Sequence, residues 1–267
     1  MLVASTFTQI FEKCIYNQLI NYIEKHKIIF QFQYGFRKGH STAQAITEIT
    51  NTLRAVDNNL YTCGVFLDFS KAFDAINHTI LLSILEAYGI RGIPSRWFHS
   101  YLSNRKQYIA LGEVKSPEQT MLCGIPQGST LGPLSFLMFI NDLPSCSEKL
   151  CIKIFAGDTN VFASARDLKS LEHLMNSELV RKWCDINKLS INMGKTNFMV
   201  IKSARKRDME ISLNISNSDG SSHVLERKQC IKYLGVMIDE SLTWKYRICS
   251  RISRNIEIKV LFYLYSS

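Results

Sequence analysis

Val65-Phe66-Leu67-Asp68-Phe69-Ser70-Lys71-Ala72-Phe73-Asp74 is the stretch on which the fold turns. Residues 61–67 are apolar and rich in β-branched and aromatic side chains, the composition of a buried strand, and the run stops at Asp68. A carboxylate at the end of a buried strand is costly unless it is paired or binds a cation. Alone, Asp68 reads as a strand-end or helix-capping aspartate. A second such place lies downstream, where Leu150 to Phe155 and Val161 to Ala163 read as strands flanking Gly157-Asp158. Carboxylates from two separate strands are what a site for a pair of divalent cations requires.

Around these strands the pattern is helical. Thr6 and Gln9 fit a capping box, after which Phe7, Ile10, Phe11, Cys14, Ile15, Leu19, Tyr22 and Ile23 recur at helical spacing and predict a core-facing helix. Ser41 caps a second helix with Ile46, Ile49, Leu53 and Val56 on its apolar face. Ile80, Leu81, Ile84, Leu85 and Tyr88 predict a third, stopped by Gly89. A hairpin is expected between Gln107 and Cys123, and a buried helix from Leu131 to Leu143. One long helix is expected from Asp167 to about Asn187, with Leu168, Leu171, Met175, Leu179, Trp183 and Ile186 on one face. Strands follow at Asn197 to Lys202 and Ile231 to Ile238, separated by a polar stretch holding Arg205-Lys206-Arg207. This order predicts an α+β protein with an antiparallel sheet backed by helices.

Composition narrows the partners. With 267 residues, 46% hydrophobic and 21% charged, the chain can bury a sizeable core. Thirty-two Lys and Arg against 23 Asp and Glu give a net charge of +9, which suits a polyanionic partner such as nucleic acid. The 8 cysteines form no Cys-x-x-Cys pair and have no clustered histidines, so they read as reduced core thiols of an intracellular protein, cytoplasmic or nuclear. No apolar run approaches the ~20 residues of a membrane span, and the start lacks a charged leader, so a soluble, unsecreted chain with no membrane partner is expected.

Gly124-Ile125-Pro126-Gln127-Gly128-Ser129-Thr130-Leu131-Gly132-Pro133 is a loop opening a hydrophobic helix, in which glycine permits close backbone approach and a Gln amide both donates and accepts. By itself it is a helix-entry loop. Taken in order, the Asp68 segment, this loop through Phe139-Ile140-Asn141-Asp142-Leu143-Pro144, Phe155-Ala156-Gly157-Asp158, Leu189-Ser190-Ile191-Asn192-Met193-Gly194-Lys195-Thr196 and Tyr233-Leu234-Gly235-Val236 closely resemble the ordered motifs of reverse transcriptases. With Gln33-Tyr34-Gly35-Phe36-Arg37 upstream, the wording is similar to that of non-LTR, jockey-like LINE retrotransposons.

The resemblance implies a right-hand polymerase: partial fingers over residues 1–60, a palm over 61–205 with a fingers excursion near 90–123, and a palm-thumb hairpin with the start of a thumb over 206–267. It implies a two-metal Mg²⁺ site, held by Asp68, the backbone carbonyl of Phe69, and Asp158. Phe73 would be the steric gate under the sugar. Gln127 and Gly128 would contact the incoming nucleotide, Lys195 would donate a proton to pyrophosphate, and Arg37 would contact template or triphosphate. The implied partners are an RNA template, a DNA primer and deoxynucleoside triphosphates.

Two departures qualify this reading. The family's third motif ends in paired aspartates, whereas Gly157 occupies the first of the two positions, so metal affinity and activity are expected to suffer while the turn survives. The chain also begins within the fingers and ends shortly after the Tyr233-Leu234-Gly235-Val236 segment, as a truncated copy would. The alternative is a non-catalytic nucleic-acid-binding remnant that attracts RNA by its basic surface.

Overall fold

The computed structural model describes residues 6–53, 60–103, 105–126, 128–177, 179–201, 210–216 and 222–242. In chain order its elements are α1 (Thr6–Lys25), α2 (Thr42–Leu53), β1 (Tyr61–Leu67), α3 (His78–Ala87), α4 (Ile93–Leu102), the short strands β2 (Lys106–Gln107), β3 (Ala110–Leu111), β4 (Val114–Lys115) and β5 (Gln119–Thr120), and α5 (Gly132–Ile140). There follow β6 (Cys151–Phe155), β7 (Asp158–Ala165), α6 (Leu168–Met175), α7 (Leu179–Ile186), β8 (Asn197–Ile201), β9 (Asn214–Ser216), β10 (Ser222–Val224), β11 (Glu226–Arg227), β12 (Cys230–Tyr233) and β13 (Val236–Asp239). The chain divides into two units, one drawn from Met1–Phe30, Ser70–Leu143 and Cys184–Ser190, the other from Gln31–Phe69, Pro144–Trp183 and Ile191–Ser267.

The second unit is organised by the strand that the sequence singled out. β1 is buried along almost its whole length and lies in the middle of a five-stranded sheet of order β11-β8-β1-β7-β6. It runs antiparallel to β7 and to β8, β6 is antiparallel to β7, and only β11 joins parallel, beside β8. One sheet face contributes Phe66, Phe162, Met199 and Ile201 to a core closed by Ala45, Ile46, Ile49 and Leu53 of α2 and by Ile231, Tyr233 and Ile238 of the β12–β13 hairpin. Phe66 meets Phe162 edge-on, with ring centroids 6.0 Å apart. α6 packs on β1 and β7. Lys153 of β6 is buried, and its charge is met by Glu48 of α2 at 3.0 Å and by the face of Phe32.

In the first unit α3 packs against α4 and α5, burying Leu81, Leu85, Phe98, Leu102, Phe136 and Phe139. Buried Glu12 of α1 accepts hydrogen bonds from the Tyr101 hydroxyl (2.8 Å) and the Thr130 N–H (2.7 Å), so its charge has partners. The Gln107–Cys123 hairpin is two nested pairs, β2 with β5 and β3 with β4.

Ser41 and Gln44 exchange the reciprocal hydrogen bonds of a capping box at the start of α2, and Gly89 (φ 89°) ends α3. Val56 lies outside the described residues. The expected long helix from Asp167 is two helices. Asn176 ends α6 because its side chain is engaged elsewhere, accepting from Asn214 N–H (2.8 Å) and donating to the Ser212 carbonyl (3.1 Å). Of its supposed common face, Ile186 is 73% exposed. α1 buries Leu19 and Ile23, but Ile10 and Phe11 face solvent, and Thr6 is already helical rather than a cap. α4, with Pro94 in its first turn, went unread in the sequence. The expected strand Ile231 to Ile238 is a hairpin, turning at Leu234-Gly235, both left-handed. Seven cysteines are described and none of them forms a disulfide, yet only Cys63 and Cys184 are buried; most of the expected core thiols are not in the core. Among the described residues no helix is long and apolar enough to cross a membrane. The Arg205-Lys206-Arg207 run lies outside them.

Gly64 sits mid-strand in β1, where an added Cβ would come 2.6 Å from the Phe162 ring. Gly64→Ala should therefore overpack the sheet core and cost about 1–3 kcal/mol, read as a lower urea midpoint. An unchanged midpoint would contradict this packing.

Candidate active site

The β1–β7 ladder ends at the pair Leu67 with Thr159, so Asp68 leaves the end of β1 beside the start of β7 at Asp158, near enough for the charge of one to act on the other. Strand alternation places Asp158 on the face that carries Asn160 and Phe162, the face shared by Phe66 of β1. Two carboxylates held opposite one another repel. The pKa of Asp158 is raised, first because surrounding protein removes water from its carboxyl and second because Asp68 is charged, although Asp158 keeps an exposed surface.

The turn that delivers Asp158 is Ala156-Gly157, closing the β6–β7 hairpin at the pair Phe155 with Asp158. Sequence reading had put Gly157-Asp158 in the turn; Asp158 instead opens β7. The left-handed residue is Ala156 (φ 54°), and Gly157 is not among the positive-φ glycines, so its backbone accepts a side chain.

Lys195 reaches the same place from another direction. Residues 192–196 form a turn in which the Lys195 and Thr196 N–H groups donate to the Asn192 carbonyl, while Asn192 N–H donates to the Asp68 carbonyl at 2.7 Å. The Thr196 hydroxyl accepts from the Asp68 N–H. This brings Lys195 Nζ to 3.8 Å from the Asp68 carboxylate, with the lysine side chain 72% exposed. At such exposure the pair adds little stability, and the cation is available to other anions. Phe69 is buried beside them, in an isolated bridge with Ile191. Arg37, by contrast, turns back on its own segment, donating to the Gln33 carbonyl at 3.0 Å.

Tyr233 and Tyr34 were missed in the sequence. Burial and then the Asp158 charge push the Tyr233 hydroxyl pKa well up, which places it within the field of that carboxylate. Tyr34 is raised to about 12 by burial and by Glu48. A signal existed for both, since each stands in a motif quoted for its other residues.

Phe73 and Gly128 belong to the first unit. Phe73 is half-buried and stacks on Phe136 of α5, centroids 4.5 Å apart and planes at 24°. Gly128 is left-handed (φ 84°), and Gln127 lies outside the described residues. Near Phe73, Gly124 (φ 88°) lets its loop touch the Asp74 backbone, where a Cβ would come within 2.9 Å. A cavity of about 400 Å³ opens there, lined among others by Lys71, Arg105 and Lys106 against Asp74, a mainly cationic wall. The arginine and lysine from the hairpin were not singled out in the sequence.

Among the described residues no group of three or more His, Cys, Asp or Glu side chains could hold a metal ion. The opposed pair is a hard, all-oxygen donor set whose mutual repulsion a divalent cation relieves, so it fits Mg²⁺ or Mn²⁺ chemically. Two carboxylates neutralise one such ion; Gly157 contributes none towards a second.

Comparisons with known proteins agree on one family. Residues 4–238 match the family described as reverse transcriptase (RNA-dependent DNA polymerase). The RNA-directed DNA polymerase from mobile element jockey of Drosophila melanogaster is 28% identical over 253 residues, 90% of this chain and 26% of the relative. The probable RNA-directed DNA polymerase from transposon BS of the same species is 28% identical, with 90% and 27% covered. The chain thus spans about a quarter of the length of these curated relatives. Among solved structures, telomerase from Candida tropicalis in complex with a telomeric RNA fragment aligns with TM-score 0.54 at 11% identity, covering 97% of this chain and 41% of that one. The apo telomerase gives 0.55 at 12%, with 88% and 40% covered. At such identity the likeness is one of fold: mixed α and β with a central, antiparallel-rich sheet.

Because the raised pKa makes the native state bind the Asp158 proton more tightly than the unfolded chain does, stability falls as pH rises from the ordinary carboxylate range through the raised value. At pH 7 without divalent ions the ionised Asp158 carboxylate therefore costs stability, first through lost hydration and second through the charge of Asp68. Asp158→Asn should then melt at a higher temperature than the unmodified chain, measured by differential scanning calorimetry in chelator. A lower melting temperature would mean that the pair is not strained.

Proposed function

The chain belongs to the reverse transcriptase family, and on that premise we propose that it is the polymerase domain of a non-LTR retrotransposon protein, impaired at its metal site by Gly157. The reaction is addition of deoxynucleotides to a primer 3′-hydroxyl on an RNA template. The observation that carries this reading is Asp68, just past the end of β1, close to Asp158 at the start of the antiparallel β7, with Lys195 at 3.8 Å from Asp68. Within it residues 1–60 are the partial fingers, 61–205 the palm with its excursion near 90–123, and 206–267 the palm-thumb hairpin and start of the thumb.

Asp68 and Asp158 are the side chains that would hold Mg²⁺, with the Phe69 carbonyl as an added ligand. The ion supplies, when bound, neutralisation of phosphate charge and a lowered pKa at the primer hydroxyl. Lys195 gives a mobile cation beside the carboxylates, suited to protonating departing pyrophosphate. Phe73, fixed on one face by Phe136, presents a rigid ring suited to rejecting a 2′-hydroxyl, and Gln127 and Gly128 are the expected nucleotide contacts. Arg37, already bonded to Gln33 O, is a weaker candidate for substrate contact.

Gly157 favours the second reading, a binding remnant: with two carboxylates in place of three, the chain would keep nucleic-acid affinity through its net charge of +9 while losing turnover. Both readings expect binding to an RNA duplex that weakens steeply with salt, since phosphate neutralisation releases counterions. Fluorescence titrations at several salt concentrations check this, and an affinity indifferent to salt would oppose both.

Primer extension separates them. Gly157→Asp, on a backbone that accepts a side chain, should raise the extension rate by orders of magnitude, each tenfold gain corresponding to about 1.4 kcal/mol of barrier. A folded variant as inert as the unmodified chain would favour the remnant. An unmodified chain that already matches the variant would remove the claim of impairment.

A further inference from the structure

Gln33 is 1% exposed and pairs with β6 through a parallel bridge to Ile154. Its neighbours complete a short added strand on that sheet edge, with Ile154 N–H donating to the Phe32 carbonyl (3.0 Å) and Tyr34 N–H to the Ile154 carbonyl (2.9 Å). The Gln33 side-chain oxygen then accepts two backbone donors, Gly35 N–H at 2.9 Å and Ala156 N–H at 3.1 Å. Since both partners are N–H groups, the atom between them must be the oxygen, which fixes the amide orientation. The side-chain nitrogen has no partner, so the amide is there for its acceptor.

The second donor matters because Ala156 is the left-handed residue of the turn that starts β7 at Asp158. An alanine pays for φ 54° in strain and needs an external hold. Gly35 adds a steric hold: a Cβ there would collide with the Ala156 backbone nitrogen, so the two segments are in close backbone contact. Arg37 braces the other end of Gln33 through its carbonyl.

We propose that Gln33 is a positioning residue that locks the Ala156-Gly157 turn through its side-chain oxygen and so fixes where the Asp158 carboxylate stands. It acts through backbone and touches no substrate. For its consequence on metal binding, the inference rests on the reading of Asp68 and Asp158 as cation ligands; the lock itself does not.

Two variants and two readouts test it. Gln33→Met keeps length and apolar volume but loses the acceptor, whereas Gln33→Glu keeps an oxygen for both donors. Mn²⁺ titration followed by electron paramagnetic resonance should give a dissociation constant about tenfold weaker for Gln33→Met, in line with lost support behind metal ligands, and no weaker for Gln33→Glu. Hydrogen exchange by NMR should find the Ala156 amide of the unmodified chain protected, and in Gln33→Met exposed. A folded Gln33→Met that binds Mn²⁺ like the unmodified chain, or an Ala156 amide that exchanges freely in the unmodified chain, overturns the proposal. Should the unmodified chain bind no Mn²⁺, the cation reading fails, and Ala156 exchange across the three proteins decides the lock alone. If Gln33→Met does not fold, protection of Ala156 in the unmodified chain and in Gln33→Glu decides it.

Discussion

Two like charges are held opposite each other by the register of β1 against β7, and much of the second unit serves to keep them there. The pKa of Asp158 is raised first by loss of hydration and second by the nearby charge of Asp68, so holding its ionised carboxylate here is unfavourable. A folded protein sustains such a cost where the surrounding structure leaves no relaxation. Here β1 is buried on both faces between α6 and the α2 side, its ladder runs through seven residue pairs with β7 and five with β8, and a one-residue slip would turn Phe66 and Phe162 out of the core. Hydrophobic register thus fixes carboxylate position. A divalent cation bound there, as proposed, would relieve the repulsion.

Gly157 changes this balance without disturbing its frame. The turn keeps its geometry because the left-handed position is Ala156, and the hairpin pair Phe155 with Asp158 is intact. On the proposed reading, position 157 would carry one carboxylate fewer than a paired-aspartate motif, and the effect would fall on metal affinity and turnover and not on folding. The Lys195 cation, 3.8 Å from Asp68, partly offsets the repulsion of the remaining pair in the absence of metal.

What could be read from sequence divides along physical lines. β1 and its end at Asp68 were legible because a buried central strand has an uninterrupted apolar run and a charge marks its end. The cap of α2 was legible from Ser41, which acts locally, and the structure adds Gln44 as its reciprocal partner. The break between α6 and α7 was not: it comes from Asn176 bonding to Ser212 and Asn214, a tertiary event invisible to periodicity. α4 was obscured by Gly92 and Pro94 at its start, which read as loop before they read as helix entry. At the site, Asp68 and Asp158 stood out as charges beside strands, Lys195 was named only through the family resemblance, and Gln33, Tyr34 and Tyr233 are distinguished by burial, which no local pattern reports.

The central claim is that the opposed pair is a divalent cation site. Anomalous diffraction from crystals soaked in Mn²⁺ addresses it most directly, since manganese scatters anomalously and needs no activity to be seen. One peak touching both the Asp68 and Asp158 carboxylates is the expected result. Crystals that stay free of manganese between these two side chains at saturating concentration, or that carry it only elsewhere, would contradict the claim.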